Sequence, residues 1–239
     1  MPKCFAFPSL AVYSLVLLFS PTVQAQQMAT NASTNAPAAA PQVDPSSHAM
    51  AVAIGKMNAN DADGALDKLT ESIKLNPKNA AAYVLRASIY CQKKFWIQAG
   101  EDFAAAAAID PKNVVIKFNQ VEIKFLQKQY DAARPGFVAL EDDPDMGDLA
   151  KYKVFLCDLF GGHEDAASKE LDAFNKAGEN ASYYFSNAAW DLYHKKIEDA
   201  RGWLISASHI YAPQKNGYYA QSLRDLGYLP LPQPPPDSN

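Results

Sequence analysis

Apolar residues recur at i, i+3, i+4 and i+7 in successive segments of about a dozen residues between Ser46 and Tyr228. This spacing predicts a chain of amphipathic helices, each with one buried stripe. Turn signals such as Gly161-Gly162 separate the segments. In one pair of segments, the first helix has Tyr152, Phe155, Leu156 and Leu159 and the second has Ala167, Leu171 and Phe174. The pattern therefore predicts helix hairpins and an all-α fold.

The hairpins repeat with a fixed period along the chain. A small residue recurs early in each second helix at spacings of 34, 34, 34 and 33, and a large apolar residue follows four positions later. The small residues are Ala65, Ala99, Ala133, Ala167 and Ala200, and the large ones are Leu69, Phe103, Phe137, Leu171 and Leu204. An alanine lets two helix axes approach closely, and the bulky side chain fills the hole beside it. Since one hairpin leaves an apolar face bare, we expect the hairpins to stack.

This period resembles the tetratricopeptide repeat (TPR) family. The second period matches best, with Tyr83, Ala87, Tyr90, Ala99, Phe103, Ala106 and Pro111. The resemblance implies a right-handed α-α superhelical solenoid of about five helix-turn-helix repeats. We place them at about 46–79, 80–113, 114–147, 148–180 and 181–214. In the other four periods the first helix fits better when shifted by one residue, which predicts a shorter turn inside those hairpins.

Two further expectations concern the helices themselves. Residues 215–228 form one amphipathic segment without a partner, which predicts a helix that ends near Gly227 and caps the last repeat. Pro135 falls inside the third repeat's second helix, where it should delay the start of the helix or kink it.

The two ends of the chain do not show the repeat. Residues 1–25 combine Lys3, an apolar stretch from Leu10 to Phe19 and small residues before a cut after Ala25, which predicts a cleaved secretory signal. Residues 26–46 are rich in Ala, Pro, Asn and Thr and are expected to form a disordered tether, and 229–239 a proline-rich disordered tail. We therefore expect an exported protein, periplasmic or secreted, with no membrane span after cleavage.

Composition narrows the possible functions. With 49% hydrophobic and 20% charged residues the chain can form a core, and a net charge of -4 argues against nucleic acid as a partner. The histidines fall in different repeats without ligand spacing, and no phosphate-binding loop or nucleophile motif is present. The sequence thus predicts no enzyme activity, no cofactor and no metal site.

The resemblance also implies a concave groove lined by the first helices, which binds a peptide or partner helix. The residues carried over to that groove are Ser88, Cys91, Gln92, Asn119, Ile123, Lys153, Phe160, Tyr183, Ser186, Trp190, Tyr193 and His194. Two alternatives stay open: these side chains pack inside the solenoid, or residues 216–228 cover them. The leading hypothesis is a non-enzymatic scaffold that binds another protein. The second is a structural, self-associating module of the cell envelope, so that a homo-oligomer is possible.

Overall fold

The computed structural model describes residues 44–177 and 180–230. Those residues form eleven α-helices and no strand, which confirms the all-α fold of five hairpins and a final helix. The helices are α1 Pro45–Asn58, α2 Ala62–Leu75, α3 Ala80–Gln92, α4 Trp96–Ile109, α5 Val114–Leu126, α6 Tyr130–Val138, α7 Gly147–Gly161, α8 Glu164–Ala177, α9 Ala181–Tyr193, α10 Ile197–Ile210 and α11 Pro213–Asp225. The predicted signal, nearly all of the tether and most of the tail lie outside the described residues.

Side chains before the helices fix several of the starts. The Asp44 carboxylate accepts a hydrogen bond from the Ser47 N–H at 2.9 Å, so α1 begins at Pro45, inside the last residues assigned to the tether. Asn180 caps α9 in the same way by accepting from the Tyr183 N–H at 2.8 Å. Such caps satisfy N–H groups that have no partner within the helix.

The turn inside each hairpin contains one residue in the left-handed region. These residues are Asn60, Lys94, Lys128, Gly162 and Lys195, with φ of 61°, 59°, 60°, 88° and 62°. They follow the repeat, at spacings of 34, 34, 34 and 33. The turns have three residues in four hairpins and two in the fourth. The prediction of shorter turns in every hairpin but the second is therefore wrong for the first, third and fifth.

The register of the second repeat explains this error. Val84 and Cys91, 2% and 6% exposed, occupy its buried first-helix positions. Tyr83 and Tyr90 are only half-buried, and the Arg86 guanidinium lies 5.8 and 6.0 Å from their ring centroids. All five repeats therefore share one register, and the tyrosines that matched the family pattern are displaced from it by one residue.

The chain divides into two compact units, 1–116 and 117–239. In the first, the core joins α1, α2 and α3 through Ala53, Met57, Ala65, Leu69, Ala82, Leu85 and Ile89. Buried hydroxyls add polar links, since the Ser46 and Ser72 oxygens lie 3.0 Å apart. Arg86 donates two hydrogen bonds of 2.8 Å to Asp102, which ties α3 to α4. Residues from four helices are therefore fixed to one another within this unit.

In the second unit the core is aromatic. The ring of Phe137 lies 5.1 Å from Phe118 and 6.3 Å from Phe125. Helices α5 and α6 approach closely at Gly136, where a Cβ would lie 2.5 Å from Val121 Cγ2. Pro135 lies within α6 and does not delay its start at Tyr130, so that part of the prediction is wrong. The helix has nine residues, whereas the other second helices have 14.

Candidate interaction surface on the first helices

Six of the twelve predicted groove residues are buried by the protein itself. They are Ser88, Cys91, Asn119, Ile123, Lys153 and Ser186, all between 0% and 8% exposed. The other six, Gln92, Phe160, Tyr183, Trp190, Tyr193 and His194, are half-buried. An open groove lined by all twelve is therefore not what the structure shows, and the reason differs between the two units.

In the first unit the reason is register. Because Val84 and Cys91 are the buried positions of α3, Ser88 faces the same interior and its hydroxyl donates to the Leu85 carbonyl at 2.7 Å. Ser88 and Cys91 are thus packing residues. Neither Cys91 nor Cys157 belongs to a disulfide in the part of the chain described here.

In the second unit α11 packs against the first helices α7 and α9. The Tyr219 ring lies 5.3 Å from the rings of both Tyr152 on α7 and Phe185 on α9. Its hydroxyl donates a hydrogen bond of 2.5 Å to Asp148 Oδ2. A helix stacked in line after the fifth hairpin would stand roughly 16–20 Å from α7, since packed helices lie about 8–10 Å apart. Helix α11 therefore folds back over the side of α7 and α9 that carries Asp148, Tyr152, Phe160 and Phe185, here called the groove face.

Both ends of α11 are anchored. The Asn216 amide donates 3.0 Å hydrogen bonds to the carbonyls of Ala207 and Tyr211, which closes the reversal after α10. At the other end Gly227 has φ of 86°, and the Tyr228 N–H donates to the Leu223 carbonyl at 2.8 Å. These features form a Schellman motif, for which glycine is the favoured residue. The helix thus ends at Asp225, close to the predicted Gly227.

Helix α11 runs parallel to α7. Tyr219 meets Asp148 near the start of α7, and the Tyr228 ring lies 5.6 Å from that of Phe160 near its end. Leu223 is 0% exposed between these two contacts. The groove face therefore holds an amphipathic helix with a tyrosine anchor and a leucine one turn later.

Charged groups are buried beneath and beside this helix. Lys153 Nζ donates to Glu122 Oε1 at 2.5 Å and lies 4.0 Å from the centre of the Phe125 ring. Burial raises the pKa of the Cys157 thiol to about 12. These groups thus mark an interior ion pair and a protected thiol.

Several buried polar atoms here have no hydrogen-bond partner among the described residues. They are Asn119 Nδ2 and Oδ1, Glu122 Oε2, Tyr152 OH, Ser186 Oγ and Ser222 Oγ. Asn119 and Ser186 were predicted groove residues, and Ser222 belongs to α11. Most buried polar groups in proteins are paired, and an unpaired one costs about 1–3 kcal/mol. One of these unpaired groups, the Ser222 hydroxyl, belongs to the helix seated on the groove face.

An aromatic edge remains partly open where the first helices end. Tyr193 and Phe160 have ring centroids 5.6 Å apart, and Trp190 lies 4.5 Å from the His194 ring. His194 Nδ1 lies 2.8 Å from the Trp190 carbonyl oxygen, and Nε2 lies 2.9 Å from Glu164 Oε1. The contact with the Trp190 carbonyl has the larger effect and raises the pKa of His194, and the contact with Glu164 raises it as well. Four predicted groove residues thus meet at this edge.

Tyr183 does not join them. Its ring lies 5.6 Å from Trp203 on α10, so it packs toward the second helix of its own hairpin. Conversely, sequence reasoning missed the centre of the groove face, Asp148, Tyr152 and Phe185, and the Tyr219 side chain that packs on it. The repeat period could have identified Tyr152, Phe185 and Tyr219, because they stand 33 and 34 positions apart.

The described residues contain neither a metal-binding group nor a membrane-spanning helix. No group of three or more His, Cys, Asp or Glu side chains there could hold a metal ion. None of the described helices is both long and apolar enough to cross a bilayer.

No protein-family model matches this chain, and no curated protein matches it. Among solved structures it is similar to PilW, described as a widely conserved type IV pilus biogenesis factor, with a TM-score of 0.55 and 21% identity over 80% of this chain and 89% of that chain. A second structure, YrrB, described as a TPR protein with an unusual peptide-binding site, gives a TM-score of 0.47 and 18% identity over 73% of this chain and 91% of that chain. Likeness at these identities concerns the fold. The chain has the all-α solenoid fold of the tetratricopeptide type that its repeat period predicts.

Proposed function

We propose that this chain is an exported, non-enzymatic scaffold that holds a segment of another protein on the groove face and aromatic edge of its second unit. One observation carries the proposal: the groove face already binds a helix, through Tyr219, Leu223 and Tyr228. Aromatic side chains around a partly open edge suit the burial of apolar anchors from a partner.

The place of action follows from two separate indications. The predicted signal at residues 1–25 directs the chain to the periplasm or beyond. PilW, whose fold is similar, is described as a factor in the biogenesis of type IV pili. A scaffold in the assembly of an envelope structure agrees with both.

The groups with strongly shifted pKa values support a structural role. Burial raises the pKa of Cys157 to about 12, which keeps this thiol protonated and unreactive. Burial together with the neighbouring Asp158 carboxylate raises the pKa of Glu170 to about 8, beside the ion pair of Arg134 and Asp158. Both groups serve packing between helices.

A photo-crosslinking experiment tests the proposal. The chain without its predicted signal carries benzoylphenylalanine in place of Trp190, or in place of Tyr83 as a half-buried control in the first unit. We expect a specific adduct from the native envelope at position 190, identified by mass spectrometry, and none at 83. Trp190→Ala with Tyr193→Ala should abolish copurification of that partner while circular dichroism stays unchanged. Equal copurification by this variant would contradict the proposal.

The second candidate, self-association, has its own supporting observation. Ile205 and Ile210 on α10, in the last hairpin, are 49% and 52% exposed. If copies stack through this helix, the mass measured by light scattering rises with concentration in the absence of any partner. Replacing both residues with Glu should then keep the protein monomeric.

A further inference from the structure

Helix α11 has the sequence of a sixth first helix. Phe118, Tyr152, Phe185 and Tyr219 follow one another at spacings of 34, 33 and 34. Leu226 likewise stands one full repeat after Leu192, which is 1% exposed in α9. The sequence pattern of the first helices therefore continues into α11.

The structure leaves the corresponding place on α10 uncovered. The large apolar residue of the second helix is 0% exposed at Leu69, Phe103 and Phe137 and 9% at Leu171. Its equivalent in the fifth repeat, Leu204, is only half-buried. The surface that an in-line sixth helix would cover is thus available while α11 lies on the groove face.

The present seat of α11 leaves a polar group of this helix buried without a partner in the described part of the chain. The hydroxyls of Ser222 on α11 and Ser186 on α9 are both buried without a hydrogen-bond partner among the described residues, as is the Asn119 amide. The unpaired Ser222 hydroxyl lowers the gain from seating α11 there. When two packings of one helix differ in free energy by only a few kcal/mol, a ligand that binds one of them can shift the equilibrium toward it.

We infer that the groove face is a binding site for an amphipathic helix of a partner protein, with a tyrosine followed four residues later by a leucine, and that α11 yields this site by stacking onto α10. The inference rests on the proposed function and names the class of partner. Tyr219 and Leu223 show the required spacing, and Asp148 supplies the acceptor for the tyrosine hydroxyl.

The first test uses a fluorescein-labelled peptide of residues 213–228 as the probe, against the chain of residues 26–239. Tyr219→Phe in the chain removes the hydrogen bond to Asp148. It therefore weakens the packing of α11, which competes with the probe for the groove face. We expect this variant to bind the probe at least about tenfold more tightly than the unmodified chain, because the competent state is more populated. A probe carrying Tyr219→Ala should not bind. Equal affinity of the two chains, or binding of the altered probe, overturns the inference.

The second test reports on α10. Leu204→Cys places a thiol on the uncovered surface, and Gly202→Cys places one on another face of the same helix, while Cys91 and Cys157 are buried. Saturating probe should slow labelling at 204 at least about fivefold and leave labelling at 202 unchanged. Unchanged labelling at position 204 overturns the proposed stacking of α11 onto α10. Each variant is compared with and without the probe, so a difference in stability between the two variants does not affect this outcome.

The outcomes separate this inference from the proposed function. If crosslinking at position 190 captures a partner but the probe neither binds nor protects position 204, the scaffold stands and the inference fails. If the probe behaves as expected but no partner is captured at position 190, the helix site stands and the proposed function fails.

Discussion

Tyr219 and Asp148, far apart in the sequence, are joined by a hydrogen bond of 2.5 Å from the tyrosine hydroxyl to the carboxylate. Asp148 also accepts a 2.5 Å hydrogen bond from the Ser182 hydroxyl, through its other oxygen. One carboxylate at the start of α7 therefore holds both the beginning of α9 and the middle of α11. This arrangement makes Asp148 the polar centre of the groove face.

The Tyr219 contacts predict a graded loss of stability. Tyr219→Phe should lower the free energy of unfolding by about 1.5–3 kcal/mol, because it removes a hydrogen bond to a charged group. Tyr219→Ala should lower it by about 3–5 kcal/mol, because the ring contacts with Tyr152 and Phe185 are lost as well. Urea unfolding followed by circular dichroism measures both. Tyr193→Phe, which keeps its ring contact with Phe160, serves as the control and should change stability little.

The buried pair of Lys153 and Glu122 gives a second prediction. Their side chains are 3% and 6% exposed, so Lys153→Ala leaves an uncompensated carboxylate and should cost about 3–5 kcal/mol. Combining Lys153→Met with Glu122→Leu should recover most of the loss, because no buried charge remains. Urea unfolding of the single and double variants gives the coupling energy.

A surface ion pair provides the comparison for that cycle. Lys93 Nζ and Asp63 Oδ1 lie 2.8 Å apart with side chains 31% and 86% exposed. Lys93→Ala should cost less than about 1 kcal/mol. If Lys153→Ala cost no more than Lys93→Ala, the buried pair would not stabilise the second unit as described.

The repeat period made the fold predictable from the sequence. It did not predict the register of helix α3. Close contact between helices requires an alanine in every repeat and a bulky residue four positions later. Ala99 and Phe103 therefore identify their hairpin from the sequence alone. Tyr83 and Tyr90 led to the wrong register for α3, because an aromatic residue can match a family position while its polar end stays at the surface. Val84 and Cys91 fill the buried positions of α3 instead.

The groove face could not be predicted for a different reason. The seat of α11 depends on contacts of Tyr219 with Asp148 and Tyr152, which are distant along the chain. Local pattern identifies α11 as an amphipathic helix and even places Tyr219 in the repeat period. It does not decide between stacking on α10 and folding back, because the same apolar stripe serves both.

Two glycines should respond to alanine in opposite directions. Gly162 has φ of 88° in the turn of the fourth hairpin, a conformation that costs an alanine about 1–2 kcal/mol. Gly202 lies within α10 with nothing within 4 Å of an added Cβ, so Gly202→Ala should stabilise by about 0.5–1 kcal/mol. Thermal unfolding of both variants shows the sign. Equal shifts would mean that the left-handed turn at Gly162 does not form.

The paired carboxyls Asp158 and Glu170 predict a pH dependence. Asp158 is buried and accepts a 2.7 Å hydrogen bond from Arg134 Nε, while Glu170 Oε1 lies 3.2 Å from Arg134 Nη2. Burial and the charge of Asp158 raise the pKa of Glu170 to about 8 from an ordinary 4.5. In the fifth repeat the equivalent positions are Asp191 and Trp203, whose indole N–H donates to the carboxylate at 2.9 Å. Protonated Glu170 can donate to Asp158 in the same way.

The sign follows from proton binding. Between pH 4.5 and about 8 the folded protein keeps a proton on Glu170 that the unfolded chain releases, so this group makes stability fall as the pH rises through that range. Glu170→Gln keeps a donor toward Asp158 without a charge, and it should raise the free energy of unfolding at pH 9 by at least about 1 kcal/mol, since one pKa unit corresponds to about 1.4 kcal/mol. At pH 4 the two proteins should be equally stable within error. Urea unfolding from pH 4 to 9 measures the difference, with Glu101→Gln at an exposed position as the control. A pH-independent difference would show that folding does not raise the pKa of Glu170.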